Sequence, residues 1–203
     1  VIHNNQVVGV RAEGAVLEMN NCQVSNNGQY SLALMVGDFT LNHVTVANYF
    51  SQSSRKSPAV ALTNYFEKTE SIGGEAVSVT YLGDANATFN NCIIYGAMDN
   101  EFGIGKQSGA ALNYTFHNCI VRDDSIQNSH FINCINANPK FIATYGQNYN
   151  IEETSPAVDA GMEGLGIPTD ILGRPRNGIP DIGAYEYYPI PEEKSGVRNG
   201  GLY

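Results

Sequence analysis

The sequence has no tryptophan, and charged residues make up only 15% of it, well short of the roughly 25% usual in globular proteins. Gly, Asn, Ser and Thr take their place, a composition that argues against long charged helices and favours turn-rich β structure. Cations are the scarcer sign: 11 Lys and Arg stand against 20 Asp and Glu, a formal net charge of −9. That balance disfavours sequence-independent binding to nucleic acid or to an anionic membrane. No apolar run reaches the length of a membrane-spanning helix. None of the four cysteines, Cys22, Cys92, Cys119 and Cys134, belongs to a CxxC pair, so the spacing of a zinc site is missing. A signal peptide is missing too. The chain opens at Val1, already inside a repeat, which is read as processing or truncation and fits a removed export signal.

What the sequence does have is repetition. Val1-Ile2-His3-Asn4-Asn5 returns as Gln23-Val24-Ser25-Asn26-Asn27 and again as Thr45-Val46-Ala47-Asn48, a step of about 22 residues. Leu17-Glu18-Met19-Asn20-Asn21-Cys22 falls over Phe39-Thr40-Leu41-Asn42-His43-Val44 at the same step. Thr88-Phe89-Asn90-Asn91-Cys92 returns as Thr115-Phe116-His117-Asn118-Cys119 after about 27 residues. Within each unit apolar and polar residues alternate, as at Val8, Val10 and Ala12. Alternation is the period of half-buried strands and not of helices. Three short strands per step describe one rung of a parallel β-helix. The expected fold is therefore all-β, a solenoid of about 22-residue rungs.

Stacking the units predicts inward columns. Leu17 with Phe39 forms one, and Met19, Leu41, Phe89 and Phe116 form another. Cys22, Val44, Cys92 and Cys119 form a third, where valine standing in for cysteine marks a small apolar site. The cysteines are accordingly expected as buried free thiols. Asn4, Asn26 and Asn48 are expected to stack at a turn, because Asn tolerates left-handed backbone. His43 and His117 fall at turn positions of the repeat, and His130 falls in an apolar run. Between Tyr49 and Asp84 the rhythm breaks. Strands are expected at 59–63 and 76–81, and the region is read as one rung carrying long loops.

After Cys134 the pattern changes again. Asn138-Pro139-Lys140-Phe141 leads to Ser155-Pro156-Ala157-Val158-Asp159-Ala160-Gly161, then to Asp170-Ile171-Leu172-Gly173-Arg174-Pro175-Arg176, and closes with Asp181-Ile182-Gly183-Ala184-Tyr185-Glu186. This block resembles the C-terminal end of bacterial right-handed parallel β-helix repeat proteins of pectate-lyase-like fold. The resemblance is close over 130–187 and generic upstream. It implies a right-handed parallel β-helix over 1–187 with a loop insertion near 49–84, a cap over about 135–187, and a tail at 188–203. It also implies an exported or surface-attached bacterial protein. In the block itself, Arg174 and Arg176 among Asp170, Asp181 and Glu186 are read as an ion-paired cap; the functional alternative is a carboxylate site for calcium or for acid–base chemistry.

The resemblance also brings polysaccharide lyases and glycoside hydrolases into view. Hydrolysis needs two carboxyl groups flanking the scissile bond; the only adjacent Asp pair is Asp123-Asp124, without the Gly-His-Gly or Arg-Ile-Lys companions of the hydrolases, and a solvated turn is the preferred reading. A lyase needs a basic residue and a cation to stabilise the enolate. Arg55, Lys56 and Lys106 are the candidate bases, and Asp99, Glu101, Asp123 and Asp124 the candidate calcium ligands; solvated loop charges are preferred here as well. No other cofactor is indicated. For a glycan-binding surface, Tyr49, Phe50, Tyr65 and Phe66 offer stacking platforms, with Arg55 beside them. The function expected is a surface or extracellular scaffold contacting polysaccharide through the 49–84 loops. The alternative is a carbohydrate-active enzyme, lyase or hydrolase, with part of its site on rungs N-terminal to this chain.

Overall fold

A computed structural model describes residues 1–51, 55–126 and 128–189. The expected tail at 188–203 lies outside them beyond residue 189. The described chain is all-β, with 16 strands in four sheets. A five-stranded parallel sheet runs in the order Ile2–His3, Gln23–Ser25, Thr45–Asn48, Ile93–Gly96, Ile120–Val121. A seven-stranded parallel sheet is centred on the long strand Tyr30–Asn42. Two antiparallel hairpins complete the set, Tyr65–Ile72 with Glu75–Leu82 and Phe141–Ala143 with Asn148–Ile151. Among the described residues no helix is long and apolar enough to cross a membrane.

One left-handed residue turns the chain from the larger parallel sheet into the smaller. Asn21, His43, Asn91, Asn118 and Asn133 all have φ between 48° and 53°. Asn and His accept this conformation more readily than branched residues, whose Cβ would collide with the backbone. The residue after each corner is the small apolar one, Cys22, Val44, Cys92, Cys119 or Cys134. Cys92, Cys119 and Val44 are buried; Cys22 and Cys134 are half-buried. Inward from the corner the rings stack: Phe89 lies 4.3 Å from Phe116, and Phe116 lies 4.7 Å from Phe131, each pair nearly parallel. Met19 pairs with Leu41, and Leu41 with Phe89, in register.

The single solenoid of about 22-residue rungs, and with it the pectate-lyase-like parallel β-helix, does not form. A step of 22 residues joins Asn20 to Asn42, but the next step in the same row, Asn42 to Asn90, is 48, and Asn86 to Asn113 is 27. The physical reason lies in Tyr30–Asn42, which divides its pairing. Leu32–Met35 pairs with Val60–Thr63, while Gly37–Asn42 pairs with Ala85–Asn90. Val60–Thr63 then takes Phe102–Gly105 as its other neighbour. The 49–84 region is thus not one rung with loops. It contributes a sheet strand and an antiparallel hairpin whose turn is Gly73-Gly74, both at positive φ, as a tight hairpin turn requires. Separate sheets, one of them curled into a half-barrel, replace the uniform stack.

The C-terminal block lies along the outer face of the five-stranded sheet. Ala47, Ile93 and Ile120 of that sheet form a second core with Phe141, Tyr149, Ile182 and Ala184. Polar clasps fix it at several strands in turn: Tyr185 donates through its hydroxyl to Gln23, Ala184 N to Thr45 Oγ1 at 2.9 Å, and Asn118 Nδ2 to the Ala160 carbonyl at 3.1 Å.

Candidate functional site

The residues singled out for chemistry fall into three separate places. At the first, Glu101 and Arg55 are buried against each other. The Arg55 guanidinium donates to both Glu101 oxygens, at 2.7 Å for Nη1 to Oε2, while Ala59 N and Met98 N donate to the same carboxylate at 2.8 and 2.9 Å. The side chains are 3% and 0% exposed. A buried carboxylate with a bidentate guanidinium and two amides has no oxygen left over for a cation or a substrate.

Asp99 stands outside this knot, accepting from Arg122 Nη2 at 2.9 Å with its side chain 86% exposed. Arg122 also donates to the Gly96 carbonyl and lies over the Tyr95 ring. Asp123 is buried and folds back on its own turn, accepting from Ser125 N at 2.7 Å and from Ser125 Oγ at 2.6 Å. Asp124 is exposed, and its backbone amide donates to Asn100 Oδ1. Lys106 and Lys56 are exposed. The two aspartates of the adjacent pair therefore point into different environments. Among the described residues no three His, Cys, Asp or Glu side chains gather so as to hold a metal ion.

At the second place, the end block forms an ionic network. Asp170 accepts from Arg174 Nε and Nη2 at 2.8 and 2.6 Å. Burial raises its pKa, but Arg174 and backbone amides outweigh that, and the net shift is downward. Arg176 pairs with Glu186 at 3.1 Å, both side chains 4% exposed. Among the described residues Asp181 has no guanidinium on its carboxylate and accepts from Asp159 N and Tyr187 N. Burial pushes its pKa up to about 6 against those two donors. His43 faces this network. Its Nδ1 is 3.3 Å from the Gly183 carbonyl and its Nε2 is 3.1 Å from Asn91 Nδ2. An amide nitrogen can only donate, so Nε2 accepts and Nδ1 carries the proton. Burial, then the charge of Arg176, pushes the imidazole pKa down to about 4.

The third place is a cleft of about 450 Å³ between the Asn4 and Asn26 corner of the five-stranded sheet and the turn of the Phe141–Ile151 hairpin. Its walls are Tyr49, Phe50, Tyr145, Asn4, Asn26 and Gln147, with Ser51, Ala97 and Thr144 at the margins. Tyr49 is held parallel to Tyr149 at 6.3 Å and edge-on to Phe141. Asn26 Oδ1 braces the floor, accepting from Tyr49 N and the Tyr149 hydroxyl at 3.0 Å each. Tyr145 stands at the rim, fully exposed at 102%.

Of the platform residues expected from sequence, Tyr49 and Phe50 line this cleft. Tyr65 and Phe66 belong to the projecting hairpin, where Phe66 is buried against Tyr81 at 5.0 Å under the Lys68 ammonium. Arg55 serves Glu101. Tyr145, Gln147, Asn4 and Asn26 went unnoticed as site residues. Asn4 and Asn26 read as turn formers, and Tyr145 sits among residues assigned to a cap. The one signal that could have marked Tyr145 is an aromatic residue in a Thr-Tyr-Gly-Gln turn, where packing offers it no cover. Compared with protein-family models, curated proteins and solved structures, the chain finds no match.

Proposed function

We propose that this chain is a glycan-contacting scaffold and that the Tyr49–Phe50–Tyr145 cleft is where it holds a neutral saccharide. The observation that carries the reading is the lining of that cleft: three aromatic side chains, side-chain amides, and no charged residue among the described ones that line it. Sugar rings present apolar C–H faces that stack on aromatic rings, and hydroxyls that pair with amide donors and acceptors. A uronate would call for a cation that these walls do not offer. Tyr49 is clamped by Tyr149 and Phe141, so a platform is in place before any ligand arrives, which lowers the ordering penalty of binding. No carboxylate lines the cleft among the described residues, so the reading is one of binding without turnover. Location outside the cell belongs to the same proposal and rests on the end-block resemblance.

The test is calorimetric titration of the chain with neutral and uronate-containing polysaccharides, with and without Ca²⁺, alongside an assay for new sugar ends. Binding of a neutral glycan without turnover, weakened about tenfold in Tyr145→Ala (about 1.4 kcal/mol), is the expected result. Binding that ignores Tyr145→Ala, or calcium-dependent release of unsaturated ends, would overturn it.

A further inference from the structure

Three of the four cysteines stand side by side. Asn91, Asn118 and Asn133, each left-handed, place Cys92, Cys119 and Cys134 after equivalent corners. The pairings Ile93 with Ile120 and Ile120 with Ile135 set Cys92 beside Cys119, and Cys119 beside Cys134, on neighbouring parallel strands. Ile135 N donates to the Cys119 carbonyl at 3.0 Å, which fixes that register. Cys92 N donates to Cys119 Sγ at 3.2 Å, and Cys119 Sγ to the His117 carbonyl at 3.2 Å. Cys22 has no such neighbour, since its register partner is Val44. Cys119 is fully buried and Cys134 half-buried, so Cys134 is the outermost thiol of the row. Cα atoms on adjacent strands sit about 4.8 Å apart, inside the roughly 4.4–6.8 Å that a disulfide spans. Each thiol shifts the other's titration: the Cys119 side chain lowers the pKa of Cys134, while burial and then Cys134 raise that of Cys119.

We propose that Cys119 and Cys134 are an oxidation site that a hydroperoxide closes to a disulfide, with Cys134 as the attacking thiolate and Cys119 as the resolving thiol. The Cys134 sulfur attacks the O–O bond. An S–O bond forms, the O–O bond breaks, and the leaving hydroxide or alkoxide takes up a proton, so that sulfur is oxidised to a sulfenic acid and the peroxide is reduced. Cys119 then attacks that sulfur. The S–S bond forms, the S–O bond breaks, and hydroxide leaves with the Cys119 proton as water. Two electrons pass from the two thiols to the peroxide. The product ties the short Phe131–Ile132 edge strand and the Ile135 bridge to the sheets they extend.

Hydrogen peroxide added to the folded chain, followed by alkylation of remaining thiols and peptide mapping by mass spectrometry, tests this directly. The expected result is loss of the mass of two hydrogens, a linked Cys119–Cys134 peptide, and reversal by a dithiol reductant. Cys134→Ser should keep its mass and its remaining thiols under the same treatment, and Cys92→Ser should still form the link. Sulfinic or sulfonic acid at Cys134 without a link in the wild-type chain, or a Cys92–Cys119 link that persists in Cys134→Ser, would overturn the proposal. The wild-type map decides the matter even where a variant folds poorly.

Discussion

Two buried arginine–glutamate pairs hold this molecule together, and they are wired differently. Arg55 and Glu101 close on each other: both guanidinium ends reach the one carboxylate, and two backbone amides complete it. Arg176 spreads out. Its Nη1 reaches Glu186 Oε2 and the Asp181 carbonyl, while Nη2 goes to Asn21 Oδ1 and to the carbonyls of Gly183 and Ala184. Glu186 in turn accepts from Asn177 N and Asp181 N. In both arginines the buried Nε has no partner among the described residues. Burial alone does not set what an ion pair contributes. What matters is how much of each partner's hydrogen bonding is left when the other is removed.

The concentrated pair should fail hardest. In Glu101→Gln the Arg55 charge stays buried with one neutral amide oxygen in place of the carboxylate, beside the Asn48 and Ser57 carbonyls, and the new amide nitrogen is set against a donor. A loss of about 3–5 kcal/mol is expected, the range for breaking a buried pair by removing one partner, read from the urea midpoint of unfolding. Glu101 also closes the space beside Gly96, where an added Cβ would collide with the carboxylate. A loss under about 1 kcal/mol would mean that the pair behaves as if exposed, and the contrast with Arg176 would collapse.

The Arg176 network also differs in its neighbours, which titrate at mildly acidic pH. His43 has a folded pKa of about 4, below the roughly 6.5 of an unfolded chain. The fold therefore favours the neutral ring. Its contribution is complete above pH ~6.5 and is lost as pH falls toward 4, by up to about 3 kcal/mol. Asp181 acts in the opposite sense. Its folded pKa is raised to about 6, so its buried charge is a liability above that pH, relieved as pH falls toward the unfolded value near 3.9. Between these limits the two slopes oppose each other. His43→Asn suits the corner, which Asn21, Asn91 and Asn118 already occupy with the same left-handed φ. Its midpoint should gain on the wild type by up to about 3 kcal/mol in going from pH 7 to pH 4.5. Parallel pH profiles for the two proteins would show that His43 is not held neutral.

What was legible in the sequence divides along the same line. Local repetition gave the pairing of Leu17 with Phe39 and of Phe89 with Phe116, because alternation and corner residues are written next to one another in the chain. It also gave the all-β class. The uniform solenoid failed because nothing in the spacing of Leu32 or Gly37 reveals that the two halves of one strand take different neighbours. The cleft was half legible. Tyr49 and Phe50 were marked by type, whereas Tyr145 arrives from a hairpin folded back across the sheet, a contact between distant residues that no local pattern encodes. Arg55 and Glu101 were both singled out as functional charges, and only their positions in space show that they satisfy each other.

The smallest effect is expected at the distributed pair, and it sharpens the comparison most. Glu186→Gln keeps an oxygen for one of the amides and leaves Arg176 its three carbonyls and Asn21, so a loss of about 1–2 kcal/mol is expected, near that of a hydrogen bond to a charged group. The substitution should also be visible at its neighbours. With the carboxylate gone, the uncompensated Arg176 charge makes His43 still harder to protonate, so its acid-dependent loss of stability extends to lower pH. Asp181, relieved of a like charge, ionises more easily, and its pKa falls from about 6. NMR titration of the His43 ring and the Asp181 carboxyl in Glu186→Gln reads both shifts. Unchanged titrations with a stability loss as large as that of Glu101→Gln would mean that Arg176 depends on Glu186 alone, and that the two pairs are wired alike after all.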